Sequence, residues 1–288
     1  MSLVALYHEN KSPRGKSVIT ALAQGIAQSG MDDKVKVYTE DEYQGPTNAD
    51  FVAFYGLGGN LMQLAQDHWQ SDIPTIFFDL PYWGRKHEPY PQCHRFAINA
   101  YQPTSYFRVN HTPERFEVFE RMLQPWQTDG EEVLVIGMSE KQTQVWGLGE
   151  SLAFHASLIK RLREYTDRPI AWRPKPSCCL SGSPIPSTRF AVGDLADQLR
   201  RAYCVVTYRS NVAIDGLLAG VPCVVLGDHP AEIMARQSLD DIERPFYPDD
   251  RLGFCADLAW CQVTMQELRN GWAWKLIREQ IGELREAA

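Results

Sequence analysis

The sequence predicts an α/β protein of two domains, each a parallel sheet flanked by helices, facing each other across a cleft. Three observations carry this expectation. Short apolar runs alternate with stretches of helical spacing in both halves. The alternation breaks once, at residues 124–130 (QPWQTDG), where breakers and polar residues suit a linker. The length, 288 residues, allows one domain but favours two. The first domain is expected over residues 1–128 and the second over 129–288.

In the first half, residues 3–7 read as a strand. Residues 16–29 read as a helix, with Val18, Leu22 and Ile26 on one face. Strands follow at 35–38 and 49–55, the latter stopped by Gly56-Leu57-Gly58-Gly59. A helix at 60–69, a strand at 74–79 and a further strand at 96–100 complete the series. Strand–helix–strand order implies right-handed βαβ crossovers.

The second series opens with EVLVIG at 132–137, a short buried strand. A helix at 149–164, a strand at 169–173, a helix at 195–202 and a strand at 204–207 follow. A helix at 210–219 and a strand at 221–226 end the series. From residue 265 the tail is helical by composition, with Trp272, Trp274, Leu276, Ile277 and Ile281 available for packing.

Composition narrows the function. Hydrophobic residues make up 44% and charged residues 23%, which suits a folded chain rather than a disordered one. The net charge of −7 disfavours non-specific attraction to phosphate backbones. Arg85, Lys86, Arg95 and Arg108 could form a local basic patch, or be scattered surface cations. The start lacks a signal peptide and no window reaches ~18 apolar residues, so the cytoplasm is expected. Seven cysteines show no metal spacing; Cys204 and Cys223 lie in apolar runs and read as core. Neither Asp240-Asp241 nor Asp249-Asp250 suggests a metal site, because adjacent side chains diverge. No metal is expected.

The most informative stretch is 207–230, TYRSNVAIDGLLAGVPCVVLGDHP. A buried strand ends at Thr207, and Ser210 and Asn211 stand at a helix start. Free backbone N–H groups and the helix dipole make such an end an anion site. Asp215 lies about one turn on. Gly220 terminates the helix, and Pro222 opens the next strand. The plainer reading makes Ser210 a cap and Asp215 a partner of the dipole.

The run S-N-x-x-x-D-G-L-L-x-G-V-P-C-V-V resembles the C-terminal-domain signature of GT-B glycosyltransferases. Upstream, Arg173-Pro-Lys-Pro176 resembles the R-P-H-P strand end of capsule-type transferases, including sialyl- and Kdo-transferase-like families. Lys175 replaces the histidine of that pattern, and Asp215 replaces its common glutamate. The resemblance covers about residues 130–230. It implies two Rossmann-like domains and a nucleotide-sugar donor, with no metal. Arg173, Lys175, Arg209, Ser210, Asn211 and Asp215 would hold the donor. His229, at the end of the last strand, would touch a phosphate or sugar hydroxyl, or else is a solvated loop histidine.

The runs YGLGGNL, FFDLPYWGR and LAWCQVTMQELRNGWAW also resemble bacteriophage proteins, which would place the chain in a host cytoplasm.

In the first domain, Gly58 and Gly59 lie between a strand and a helix, where the backbone could approach an acceptor or simply turn tightly. The pattern is not a full dinucleotide fingerprint. Asp79 ends the strand TIFFD and is the candidate base for the acceptor hydroxyl. Tyr82 and Trp83 would stack on the acceptor and Arg85 would meet a phosphate; the alternative has Asp79 capping a turn over packed aromatics. His8, after the first strand, is the second candidate base. Gly15-Lys16-Ser17 mimics the end of a P-loop but lacks its first glycine, so an NTPase is rejected; Lys11, Arg14 and Lys16 could still meet an anion.

A nucleotide-sugar-dependent glycosyltransferase is therefore expected. A hydroxymethylated base in phage DNA is one acceptor, flipped against Tyr82, Trp83, Arg85, Arg95, Tyr101, Tyr106 and Arg108. A glycan or lipid-linked acceptor is the rival. A non-catalytic ligand-binding protein of the same fold and an acceptor-free epimerase are the alternatives.

Overall fold

The computed structural model describes residues 1–85, 92–103, 107–175 and 184–287. The chain forms two compact units, one of residues 1–109 with 257–288 and one of residues 110–256. The C-terminal segment, expected with the second half, thus returns to the first.

In chain order the first unit begins with β1 (Ser2–His8), α1 (Pro13–Gln28), β2 (Asp33–Thr39), β3 (Phe51–Tyr55), α2 (Leu61–Trp69), β4 (Thr75–Asp79) and β5 (Cys93–Ile98). The second unit holds α3 (Glu114–Glu117), β6 (Glu132–Ile136), α4 (Glu140–Val145), α5 (Ser151–Leu162), β7 (Ile170–Arg173) and β8 (Arg189–Phe190). It continues with α6 (Leu195–Leu199), β9 (Ala202–Tyr208), α7 (Val212–Ala219), β10 (Cys223–Leu226) and most of α8 (Arg251–Leu258). The chain ends with β11 (Gln262–Thr264), α9 (Met265–Arg269) and α10 (Trp272–Ala287).

The first sheet has the order β11-β5-β4-β3-β1-β2. β1 to β4 are parallel, as βαβ connection requires, while β5 and β11 pair antiparallel. The strand expected at 96–100 is therefore β5, displaced toward Cys93 and reversed. Its alternate residues Phe96 and Ile98 join one face, and Arg95 lies in register with Asp79. The second sheet, β10-β9-β6-β7-β8, is parallel throughout.

Local signals start the helices where the structure has them. Ser12 caps α1 by accepting from the Gly15 amide, and Pro13 takes the first turn, where its missing N–H costs nothing. α1 therefore begins three residues earlier than the apolar spacing suggested. Gly220 ends α7 in the left-handed conformation (φ 75°), and a Cβ there would strike the Pro125 carbonyl.

The tail returns to the first unit because it completes that unit's core. Trp274, Leu276, Ile277 and Ile281 of α10 pack with Val4, Leu6, Val18, Leu22 and Phe51. Trp274 Nε1 and Arg278 Nη1 both donate to Asp33 Oδ2, at 2.9 and 2.8 Å. At the centre of the contact a Cβ on Gly25 of α1 would fall 1.8 Å from the Leu268 carbonyl oxygen. Gly25→Ala is therefore expected to destabilise the protein by about 2 kcal/mol or more, despite alanine's better helix propensity. Gly282→Ala on α10, where an added Cβ would meet nothing outside the helix's own backbone, should be neutral or slightly stabilising. Equilibrium urea unfolding of the two variants checks the contrast.

Candidate functional site

In open α/β sheets ligands bind beyond the carboxyl ends of the strands, where the strand order reverses. In the second sheet the chain runs from β6 outward to β7 and β8, then crosses to β9 and β10, so the reversal lies between β6 and β9. Beyond β6 come Gly137, Met138 and Ser139, and beyond β9 come Arg209, Ser210 and Asn211.

Most of the expected donor residues lie along this edge. Arg173 ends β7, half-buried, and donates from Nη2 to the Gly193 carbonyl at 2.9 Å. Burial pulls its guanidinium pKa below the ordinary value, with Asp194 opposing. Lys175 follows, and its Nζ donates to Gln142 Oε1 at 2.8 Å. Pro176, Cys178 and Cys179 lie outside the described residues, as do Lys86 and Tyr106. Ser210 Oγ accepts from the Val212 amide at 3.3 Å, which seats it at the α7 N-terminus. Asp215 is half-buried in the first turn of α7 and adds to the rise in the Cys223 thiol pKa that burial causes.

His229 is not a solvated loop residue. It is 3% exposed; its Nδ1 accepts from the Ala231 amide at 3.1 Å, and its Nε2 lies 3.3 Å from Asn211 Oδ1. With Nδ1 an acceptor, the neutral ring carries its proton on Nε2 and donates to Asn211. His229 thereby ties the end of β10 to the start of α7.

Arg209 is the most constrained residue of the edge. Its backbone is left-handed (φ 52°), a conformation that costs a non-glycine residue free energy. Its guanidinium carbon lies 4.0 Å from the Trp146 ring centroid, and Nη2 donates to Asp228 Oδ2 at 2.7 Å. Gly227 leaves room for the stem: a Cβ there would approach Arg209 Nε to 2.8 Å.

In the first sheet the order reverses between β1 and β3. His8 ends β1, is buried, and its Nδ1 lies 3.2 Å from the Glu9 carbonyl. That hydrogen bond puts the proton of the neutral ring on Nδ1 and leaves Nε2 as the acceptor. Asp79 ends β4, 28% exposed, and accepts from Arg95 Nη2 at 3.0 Å. Arg95 is 1% exposed, lies against the rings of Phe77, Tyr82 and Tyr101, and donates Nη1 to the Tyr101 carbonyl at 2.7 Å. Tyr55 ends β3 beside this pair; burial, then the Asp79 charge, raises its phenol pKa.

Several first-half expectations meet a different arrangement. Tyr82 and Trp83 are 0% and 2% exposed. The Tyr82 ring lies against Arg95 and its hydroxyl hydrogen-bonds Gln102, so the contacts it makes are internal. Arg85 donates from Nε and Nη2 to the Tyr82 carbonyl. Gly58 and Gly59 do allow a close approach, but the protein's own carboxylates use it: added Cβ atoms would strike Glu9 and Glu40. Nor do Arg85, Arg95 and Arg108 form a surface patch, since Arg95 is interior and Arg108 pairs with Asp257 at 3.4 Å. Cys204 and Cys223 are core thiols as expected, and burial pushes Cys204 up to about 12. Among the described residues no cluster of three metal-ligating side chains occurs, and no helix is long and apolar enough to cross a membrane.

The sequence reading passed over residues 138–148 entirely. The signal was present in the capping box Ser139-x-x-Gln142, which starts α4 and positions both Gln142 and Trp146. It also missed His155. Its ring accepts the Met138 amide at Nε2 (3.2 Å) and donates from Nδ1 to the Ser151 carbonyl (2.6 Å), joining the end of β6 to α5.

Among solved structures, the chain is similar to the β-Kdo 2,4-transferase of KpsC from Thermosulfurimonas dismutans. The TM-score is 0.56 at 16% identity, over 96% of this chain and 98% of that one. The fold is that of the GT-B glycosyltransferases. The β-Kdo 2,7-transferase of KpsC from the same organism has this GT-B likeness too, with a TM-score of 0.50 at 12% identity over 94% of this chain and 99% of that one. No protein-family model and no curated protein sequence matches the chain.

Burial holds the His155 imidazole pKa below its ordinary value, the Ser151 carbonyl opposing. Below about pH 6.5 the unfolded chain takes up this proton and the folded chain does not, so stability falls as pH falls through that range. Urea midpoints between pH 7 and pH 5 should therefore fall more steeply for the native protein than for His155→Gln, which is less stable at pH 7.

Proposed function

We propose that the protein transfers a sugar from a nucleotide-linked donor to a hydroxyl acceptor. The observation that carries the reading is the concentration of Arg173, Lys175, Arg209 and the α7 N-terminus on the carboxyl edge of one parallel sheet. A departing nucleotide develops negative charge on its phosphate. Fixed cations and backbone amides stabilise that charge without reorganising during the reaction. Ser210, Asn211, Asp215 and His229 would orient the rest of the donor. The GT-B fold supports the same assignment by analogy of fold alone.

Asp79 or His8 takes the proton of the acceptor hydroxyl in this reading. Arg95 orients the Asp79 carboxylate, and the Glu9 carbonyl orients the His8 ring. A glycan acceptor has more support than a hydroxymethylated DNA base. Tyr82, Trp83 and Arg95, the residues a flipped base would need, are interior, and the chain carries a net charge of −7. The similar structures are named for transfer of Kdo, a sugar.

Two measurements test the proposal. In calorimetric titration with a panel of nucleoside mono- and diphosphates and nucleotide sugars, one nucleotide should bind selectively. Lys175→Ala should weaken it about tenfold or more, the worth of a hydrogen bond to a charged group. The absence of binding by any nucleotide would overturn the donor site, and binding without transfer to any glycan would favour a non-catalytic binding protein. Once an acceptor is found, Asp79→Asn should lower kcat about 100-fold or more with donor affinity unchanged. If His8→Ala has that effect instead, His8 is the base.

A further inference from the structure

Arg209 has one feature that the donor reading does not by itself explain. Its side chain is 14% exposed, and Nε is buried without a hydrogen-bond partner. One face of the guanidinium is covered by Trp146, the stem lies on Gly227, and the backbone is held in the left-handed region. The group is thus fixed in place while only part of its donor fork is used. Asp228 accepts from Nη2 alone, and Asp228 is itself 81% exposed. Nε and Nη2 form the edge of a guanidinium that matches two oxygens of one phosphate.

Resting on the donor-site reading, we propose that Asp228 is a built-in competitor for the donor phosphate. In the unliganded protein Asp228 occupies the Arg209 guanidinium through one N–H. The donor phosphate displaces it and takes Nε and Nη2 together. The freed Asp228 carboxylate turns into solvent, where its exposure makes the exchange cheap. Trp146 is a positioning residue in this scheme: its ring fixes the guanidinium plane that the phosphate meets. Asp228 then sets donor affinity without contributing a favourable contact to the bound state.

The test is calorimetric titration of the full chain with inorganic pyrophosphate and with the nucleotide panel. Asp228→Asn should bind these anions about 2–5-fold more tightly, the worth of an exposed ion pair. The gain should vanish in an Arg209→Ala background, where the double variant binds no better than Arg209→Ala alone. Trp146→Leu should weaken binding, and Trp146→Phe should restore most of it. Asp228→Ser repeats the first comparison without an amide in place of the carboxylate. If Asp228→Asn and Asp228→Ser bind no more tightly than the native protein, the proposal is overturned while the donor site stands. A gain that persists without Arg209 overturns it too, because loss of a nearby negative charge then explains the effect. If the native protein binds neither pyrophosphate nor any nucleotide, the donor-site reading falls and takes the competitor role with it.

Discussion

The parallel run of β1 to β4 and of β6, β7, β9 and β10 is the constraint on which the rest of the structure depends. Parallel strands joined by crossovers end on the same edge, so the loops beyond them gather on that edge, whatever their distance in sequence. Arg173, Ser139 and Arg209 are far apart in the chain, yet each ends or follows a strand of one sheet. The same constraint gathers His8, Tyr55 and Asp79 at the edge of the other. Most of the polar chemistry described above lies on these two edges, while both faces of each sheet are given over to packing.

Around that constraint several buried polar side chains fix the loops. His229 is locked by the Ala231 amide and Asn211, and His155 by the Met138 amide and the Ser151 carbonyl. Arg95 is the extreme case. A buried guanidinium is costly unless its charge and its donors are met. Here Asp79 supplies the charge, the Tyr101 carbonyl accepts another N–H, and three aromatic rings lie against the guanidinium, although Nε has no hydrogen-bond partner. The ion pair orients the Asp79 carboxylate at the end of β4.

Arg209 differs in its counter-ion and its backbone. Its Nε, like that of Arg95, has no hydrogen-bond partner, but Asp228 is exposed and the Arg209 backbone is left-handed. A left-handed non-glycine backbone costs free energy, which the rest of the fold must offset.

The sequence by itself determined the α/β class, the order of the main strands and the edge of the second sheet. The reason is local: an apolar run such as EVLVIG, a glycine cap such as Gly220 and a helix start such as Ser210-Asn211 each act within a few residues. It also put Asp79 at the end of one strand and His8 just beyond another, whereas β1 runs one residue further and includes His8. Only the tertiary structure decided their partners. Nothing near Asp79 in sequence announces Arg95, which reaches it because β5 runs antiparallel in register with β4. Tyr82 and Trp83 read as loop aromatics, but Arg95 and Gln102 bring Tyr82 inside. The C-terminal helices join the first unit because Gly25 and Gly271 let two backbones meet, a Cβ on Gly271 falling 2.6 Å from the Gly25 carbonyl oxygen, and because α10 residues complete that core. These contacts span from 16 residues of chain, for Asp79 and Arg95, to 241, for Asp33 and Trp274, and they follow from which surfaces fit rather than from any local pattern.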